Sequence, residues 1–338
     1  NDFAGNESEA MVMAGVLYDI SPPVLQIDSP GNNHYTKGTE LKFSFSEDLA
    51  VGRISWDGSK PDNTIIAASW DLNGQLLKNG TYALNDFFEP ELEDGGIYTI
   101  TFSGKDPAGN IAVPAQINNY TIDRTPPIFS NLLPIDDSFV NQDHVGYLLS
   151  ENLAYGVMIL KTGKEEQSVN LQGRELQSGE NPLQKLLAQP RWNDGNDYII
   201  HFIGTDFAGN VSDTVTIKNL HYDISPPVLA VDDPVVNSYI NEMFVDISVN
   251  EPLLEGQMVW EPKSGTLVME NLLSDHIVQG EHLLDYSLTL EERIPYSIYI
   301  QGVDRAGNMG QSIPIENIQY DITKPELVIV APSPEPIL

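Results

Sequence analysis

Residues 104–110 read GKDPAGN, and the middle of this stretch recurs with small changes along the chain. Asp, Pro, Gly and Asn are the residues that most often form tight turns, so the stretch predicts a turn. Every copy fits the pattern D-x-A-G-N and begins with an aspartate, at Asp2, Asp106, Asp206 and Asp304. These positions differ by 104, 100 and 98 residues, so the pattern predicts a tandem repeat with a unit of about 100 residues.

A second motif, D-x-[ST]-[PK]-P, follows each turn at a constant distance. It begins at Asp19, Asp123, Asp223 and Asp321, in every case 17 residues after the aspartate of the turn. Proline restricts φ and favours extended chain, so the motif predicts a short, stiff linker between units. The alternative is that the prolines only protect an edge strand. In the last copy Lys324 replaces the first proline, which favours a junction that bends more.

A glutamate marks the end of an apolar strand in every unit. Glu47 closes FSFSE, Glu151 closes YLLSE and Glu251 closes DISVNE. Each lies 28 residues after the aspartate of the linker motif. The segments between these landmarks vary in length and sequence, whereas the landmarks keep their spacing, which indicates fixed points of a common fold.

The units read as short strands separated by turns. The segments YTITFSG, YIIHFIG and YSIYIQG alternate aromatic or β-branched residues with polar ones, which is typical of half-buried strands. The best helical candidate is the short segment 181–189. About seven strands per unit predict a two-sheet sandwich, with Trp56 and Trp260 in its core. The tyrosines that open the segments above, Tyr98, Tyr198 and Tyr296, fit either a tyrosine corner or ordinary core aromatics.

With its repeated D-x-A-G-N and D-x-[ST]-P-P motifs, the chain resembles the bacterial immunoglobulin-like (Big-type) tandem repeat domains of large cell-surface and adhesin proteins. The resemblance implies an all-β fold of tandem Ig-like β-sandwich domains in an extended rod. It also implies an extracellular location at the bacterial cell surface and frequent stiffening by calcium. The expected divisions are 1–18, the last strand of a preceding repeat; 19–122, 123–222 and 223–320, three Ig-like domains; and 321–338, the start of a further repeat.

Strand order in such a sandwich predicts that acids from distant positions meet. The second and the penultimate strands both end where the first strand begins, which places Glu47 and Asp106 beside Asp19. The last strand then carries the chain to the other end, so Asp123 joins the next cluster. The predicted sets are Asp19, Glu47 and Asp106; Asp123, Glu151 and Asp206; and Asp223, Glu251 and Asp304.

Three carboxylates packed this closely repel one another unless they are protonated or neutralised. Ca²⁺ suits such a site because it takes six to eight oxygen ligands in loose geometry, whereas Mg²⁺ requires a strict octahedron. Carbonyl groups of the A-G-N turn would supply further oxygens. A metal-free interpretation remains open: the aspartates cap turns by bonding their own backbone, and the glutamates accept a backbone N–H at a strand end.

Composition excludes several classes of function. The chain has 49 acidic and 17 basic residues and a net charge of −32, which argues against nucleic acid as a partner. It has no apolar run long enough to insert into a membrane. It has no cysteine, which excludes disulfides and thiolate zinc sites. No catalytic motif is found, and the acids recur in every unit, unlike a single asymmetric active site, so we expect no enzyme activity.

The leading hypothesis is therefore a structural spacer, an adhesin-like stalk that calcium stiffens between units. Its partners would be the neighbouring repeats of the same chain. One alternative is a binding module whose variable segments, 57–93, 155–195 and 255–292, contact a cell-surface glycan or protein. Another is an accessory region of a secreted hydrolase.

Overall fold

The computed structural model describes residues 2–286 and 290–328. Its regular structure consists of β-strands and three short 3-10 helices, which confirms the predicted all-β class. Within the described residues no helix has the length and apolarity needed to cross a bilayer. We call residues 19–122, 123–222 and 223–320 units 1, 2 and 3.

Unit 1 contains eight strands in two sheets. They are β1 (Leu25–Ser29), β2 (His34–Thr36), β3 (Lys42–Phe45), β4 (Val51–Ser59), β5 (Ile65–Asp71), β6 (Gly80–Ala83), β7 (Ile97–Lys105) and β8 (Ala115–Ile122), with 3-10 helices at Gly74–Leu77 and Leu84–Asp86. One sheet has the order β1-β3-β6 and the other β2-β8-β7-β4-β5. β2 pairs with β8 in parallel, and the other pairs are antiparallel.

Unit 2 repeats this arrangement. Its strands are β9 (Phe129–Leu133), β10 (Phe139–Val140), β11 (His144–Leu149), β12 (Leu153–Thr162), β13 (Glu165–Asn170), β14 (Gly179–Lys185), β15 (Asn196–Asp206) and β16 (Val215–Tyr222), with a 3-10 helix at Gly173–Leu176. The sheets have the orders β14-β11-β9 and β10-β16-β15-β12-β13.

Unit 3 has the same order with one extra strand after the D-x-A-G-N turn. Its strands are β17 (Leu229–Asp233), β18 (Tyr239–Ile240), β19 (Phe244–Val249), β20 (Leu253–Pro262), β21 (Val268–Asn271), β22 (Gly280–Asp285), β23 (Pro295–Asp304), β24 (Met309–Gln311) and β25 (Ile315–Tyr320). The sheets are β17-β19-β22 and β18-β25-β23-β20-β21, and β24 pairs with β23.

Each unit encloses its own hydrophobic core between the two sheets. Side chains alternate in direction along a strand, so every second residue of β4 and β7 points inward. Ile54 and Phe102 are fully buried, which contributes about 1.5–3 kcal/mol each. Phe43 of the facing sheet meets the Phe102 ring edge-on, with centroids 5.2 Å apart. Trp56 and Trp260 are 1% and 0% exposed, which confirms them as core residues.

A tyrosine corner is present in every unit. The hydroxyl of the tyrosine near the start of the penultimate strand accepts a hydrogen bond from the backbone N–H five residues upstream. The donors are Glu93 for Tyr98 (2.8 Å), Asn193 for Tyr198 (2.7 Å) and Glu291 for Tyr296 (2.9 Å). This geometry confirms the tyrosine corner and excludes the simpler interpretation as core aromatics alone.

Two expectations from the sequence were wrong in detail. The helical candidate 181–189 instead provides the end of β14, in which Asn181 and Gln184 pair with Tyr147 and Val145 of β11. An isolated helix of this length is marginal in water, whereas an adjacent strand satisfies the backbone directly. Residues 2–18 contain only the turn that begins at Asp2 and form no strand, because none of the described strands pairs with them.

Candidate metal sites

The structure brings all nine predicted acids together in the three predicted triads. They are Asp19, Glu47 and Asp106; Asp123, Glu151 and Asp206; and Asp223, Glu251 and Asp304. In each triad, one carboxylate oxygen from every residue lies within 4.8 Å of the other two. The turn aspartates are only 1–2% exposed, and the other members lie nearer the surface. That these residues bind a metal stays a prediction.

Strand register explains why the first triad forms. β3 runs antiparallel to β1, and Phe45 pairs with Leu25, so the residues just after β3 lie beside those just before β1. The chain then enters β4, where Val51 pairs with Lys105 at the end of β7. Glu47 therefore lies between the linker and the turn that follows β7. The corresponding register holds in units 2 and 3.

The turn aspartates are held by the last residue of their own motif. In unit 2, Asp206 Oδ1 accepts the backbone N–H of Asn210 at 2.8 Å, and its Oδ2 accepts Asn210 Nδ2 at 2.7 Å. Gly209 has φ +85°, a left-handed conformation that glycine adopts without strain, so the chain can close this turn. The turn-forming part of the metal-free interpretation is thus correct. Each carboxylate oxygen of Asp206 still has a second acceptor position for a cation.

The same asparagine ties the turn to the linker. Asn210 Nδ2 also donates to the backbone oxygen of Asp123, at 2.9 Å. The equivalent contacts join Asn110 to Asp19 (3.2 Å) and Asn308 to Asp223 (2.9 Å). Each linker is therefore fastened to the unit that follows it, a role of the asparagine that we did not predict.

The glutamates lack the backbone partner that the metal-free interpretation requires. The strand-end N–H is accepted instead by the residue before each glutamate: Ser46 for Val24 (2.9 Å), Ser150 for Ile128 (2.9 Å) and Asn250 for Val228 (2.7 Å). Among the described residues, no donor is hydrogen-bonded to the carboxylate of Glu47 or Glu151. The position of each glutamate after its strand therefore places these two carboxylates in the triads, and no hydrogen bond from the described residues holds them there.

Burial and neighbouring charge disfavour ionisation of the glutamates. Burial, followed by Asp123 and Asp206, raises the pKa of Glu151 to about 7. The same causes raise the pKa of Glu47 and of Glu251 above the ordinary value. Burial also works to raise the pKa of Asp106, but the hydrogen bonds from Asn110 outweigh it and lower this pKa. Each triad thus concentrates negative charge that a proton or a cation would neutralise.

In units 1, 2 and 3, one further acid holds the linker that follows the unit. Asp94 Oδ1 accepts the backbone N–H of Arg124 at 2.7 Å, and its Oδ2 accepts the Thr125 hydroxyl at 3.0 Å. Asp194 and Glu292 make the equivalent contacts in units 2 and 3. The sequence contains a signal that could have predicted these residues, since an acid lies four residues before each corner tyrosine.

Comparison with family models gives a match for the first part of the chain. Residues 1–121 match the family of bacterial Ig-like domains (group 3). The resemblance inferred from the two motifs is therefore confirmed for these residues. No curated protein matches the chain.

Three similar solved structures share the chain's fold features at low sequence identity and low TM-score. The FN1–FN3 domains of chicken CNTN1 share 12% identity, with 89% of this chain and 100% of that chain covered and a TM-score of 0.31. A tetra-tandem repeat from the extending region of a large adhesion protein shares 14% identity, with 90% and 75% covered and a TM-score of 0.30. Dimeric latent PorU from Porphyromonas gingivalis shares 11% identity, with 88% and 34% covered and a TM-score of 0.22.

Proposed function

We propose that this chain, whose first 121 residues match bacterial Ig-like domains, is a structural spacer segment of a large cell-surface or secreted protein. In this proposal Ca²⁺ binds at the start of each unit and stiffens the array. The observation that carries it is the recurrence of one acidic triad, built from a linker and the following unit, three times in the described residues. A site that repeats with the fold suits a structural role better than a catalytic one.

Calcium fits the donor set of the triads. Ca–O distances of about 2.3–2.6 Å allow two ligand oxygens on opposite sides of the ion to lie about 5 Å apart. The carboxylate oxygens of each triad lie within 4.8 Å of one another, so small side-chain adjustments would let one ion contact all three. Backbone carbonyls and water would complete the coordination. Extracellular sites of this type bind Ca²⁺ at about 0.1–1 mM.

The linker contacts indicate how an ion would stiffen a junction. Asp94 of unit 1 already holds the linker through Arg124 and Thr125. An ion shared by Asp123, Glu151 and Asp206 would attach the same linker to unit 2 through charge. With the ion removed, the three carboxylates repel one another, and the linker loses the attachment to unit 2 that the ion provides, while the Asn210 contact remains.

Small-angle scattering and thermal melting of the whole chain, with millimolar Ca²⁺ and then with a chelator, test this proposal. We expect chelation to lower the melting temperature and to broaden the distribution of interatomic distances. The matched variants are Glu151→Gln, which removes one ligand charge, and Glu165→Gln, which removes an exposed charge outside the triads. Identical curves with and without Ca²⁺ for the unmodified chain would contradict the proposal.

A further inference from the structure

A second contact joins units 1 and 2 outside the acidic triad. β2 ends at Thr36, and the residues around this end meet the D-F-A-G-N turn of unit 2. The Tyr35 and Phe207 rings lie with their centroids 5.9 Å apart. Lys37 Nζ donates a hydrogen bond to the backbone oxygen of Gly209. Both contacts on unit 2 therefore fall within one five-residue turn.

Units 2 and 3 meet through the same two positions with different chemistry. Phe139 and Asn141 occupy in unit 2 the places of Tyr35 and Lys37. The Arg305 guanidinium carbon lies 5.5 Å from the centroid of the Phe139 ring, a cation–π geometry. Asn141 Nδ2 donates to Asn308 Oδ1 at 3.1 Å. At both junctions an aromatic ring contacts residue x of the D-x-A-G-N turn. A hydrogen-bond donor two residues after the ring contacts one of the last two residues of the same turn.

We propose that these two positions form a receptor for the D-x-A-G-N turn of the following unit, and that residue x matches the turn to its receptor. We call Tyr35 with Lys37, and Phe139 with Asn141, the turn receptors. Phe207 fits the first because its ring packs on Tyr35 and leaves Lys37 free to reach the turn backbone. Arg305 fits the second because Phe139 offers a ring face and Asn141 carries no charge.

Charge discriminates between the two pairings. An arginine at position 207 would bring a second cation to the turn that Lys37 already contacts, and like charges held close together repel. Unit 3 carries Tyr239 and Asn241 at the receptor positions. Tyr239 is 70% exposed, against 45% for Tyr35 and 38% for Phe139, so an aromatic side chain stands at this position even where no described turn covers it.

The turn receptors contain no carboxylate, so this contact needs no bound Ca²⁺ to form, although Tyr35 and Phe207 line the same cavity as Asp123 and Glu151. The matching of receptor and turn goes beyond the proposed spacer function, because it specifies which unit can follow which along the chain. It also predicts that the junctions keep a preferred geometry after chelation. Measurements in chelator therefore test the receptors separately from the metal sites.

The experiment uses the whole chain with a pair of spin labels across the first junction. The natural sequence has no cysteine, so Thr64→Cys and Lys164→Cys, both at exposed positions, provide unique labelling sites. Pulsed dipolar spectroscopy in chelator gives the width of the distance distribution between the two labels. We expect Phe207→Arg to broaden it about twofold, because the new arginine is repelled by Lys37.

A rescue variant distinguishes a mismatch between receptor and turn from a general disturbance of the junction by the Phe207→Arg substitution. Adding Tyr35→Phe and Lys37→Asn to Phe207→Arg rebuilds the chemistry of the second junction, and we expect the distribution to narrow again. Phe3→Arg is the control, because Phe3 lies in an identical D-F-A-G-N turn and is fully exposed. A Phe207→Arg distribution as narrow as the parent, or a triple variant as broad as Phe207→Arg, would overturn the inference.

Discussion

The side-chain amide of Asn210 lies 2.9 Å from the backbone oxygen of Asp123, which is 87 residues earlier in the chain. Through this contact the turn that ends one strand fixes the linker that precedes the whole unit. The same amide holds Asp206 at 2.7 Å, so one side chain orients two members of the acidic triad. Its removal is the most direct test of how the linker is held.

We therefore expect Asn210→Ala to lower the free energy of unfolding of unit 2 by about 2 kcal/mol, because hydrogen bonds to a buried carboxylate are lost. Hydrogen exchange of residues 123–127 should speed up in the same variant. Asn6→Ala is the control, since Asn6 makes the same bonds to the exposed Asp2 of its own turn but, within the described residues, none to a linker. Unchanged exchange in the linker would show that Asn210 does not fasten it.

Calcium stoichiometry should follow the number of intact triads. Titration calorimetry of the unmodified chain should give three Ca²⁺ equivalents, one for each triad. Glu151→Gln should remove one equivalent and leave the other two, because the triads share no residue. Glu165→Gln should keep all three. Loss of all binding in Glu151→Gln, or no loss, would contradict independent sites.

The pH dependence of stability should change sign with calcium. In chelator, folded unit 2 keeps the Glu151 proton up to a pKa of about 7, whereas the unfolded chain releases it near 4.5. The folded state thus binds more protons in this window, so stability should fall as pH rises from 4.5 to 7. With Ca²⁺ bound, the cation replaces the proton and stability should rise with pH.

Thermal melting across this pH range, with and without chelator, measures the effect. Glu151→Gln should show a flatter pH dependence in chelator, because glutamine has no proton to release. A parent and variant with the same pH dependence would mean that Glu151 ionises normally in the folded chain.

The tyrosine corner should contribute measurably to folding. Tyr198→Phe removes the acceptor of the Asn193 N–H and should lower the stability of unit 2 by about 1–2 kcal/mol. Tyr155→Phe is the matched control, because its hydroxyl bonds to the exposed Asn170 side chain. Denaturant unfolding of both variants gives the comparison, and equal effects would argue against a special role for the corner.

Much of the architecture was predictable because the informative residues recur. Asp106, Glu47 and Asp19 keep fixed spacing to their counterparts, and strand order alone brings them together. The receptor contacts were not predictable in this way. Phe207 and Arg305 differ in chemistry, and each meets a partner in another unit, so neither shows a repeated pattern. Asp94 was missed because its counterpart in unit 3 is a glutamate rather than an aspartate.

The junction contacts described above lie in a few short segments: the linker, the strand-end glutamate, the D-x-A-G-N turn, the acid before the corner tyrosine and the turn receptor. Residues 57–91 and 155–193 contribute none of these contacts. We therefore expect substitutions at the exposed positions of these segments to leave the spacing between units unaffected. The units can therefore present different exposed surfaces at a constant spacing. Sequence changes at these exposed positions should not alter the length of the array.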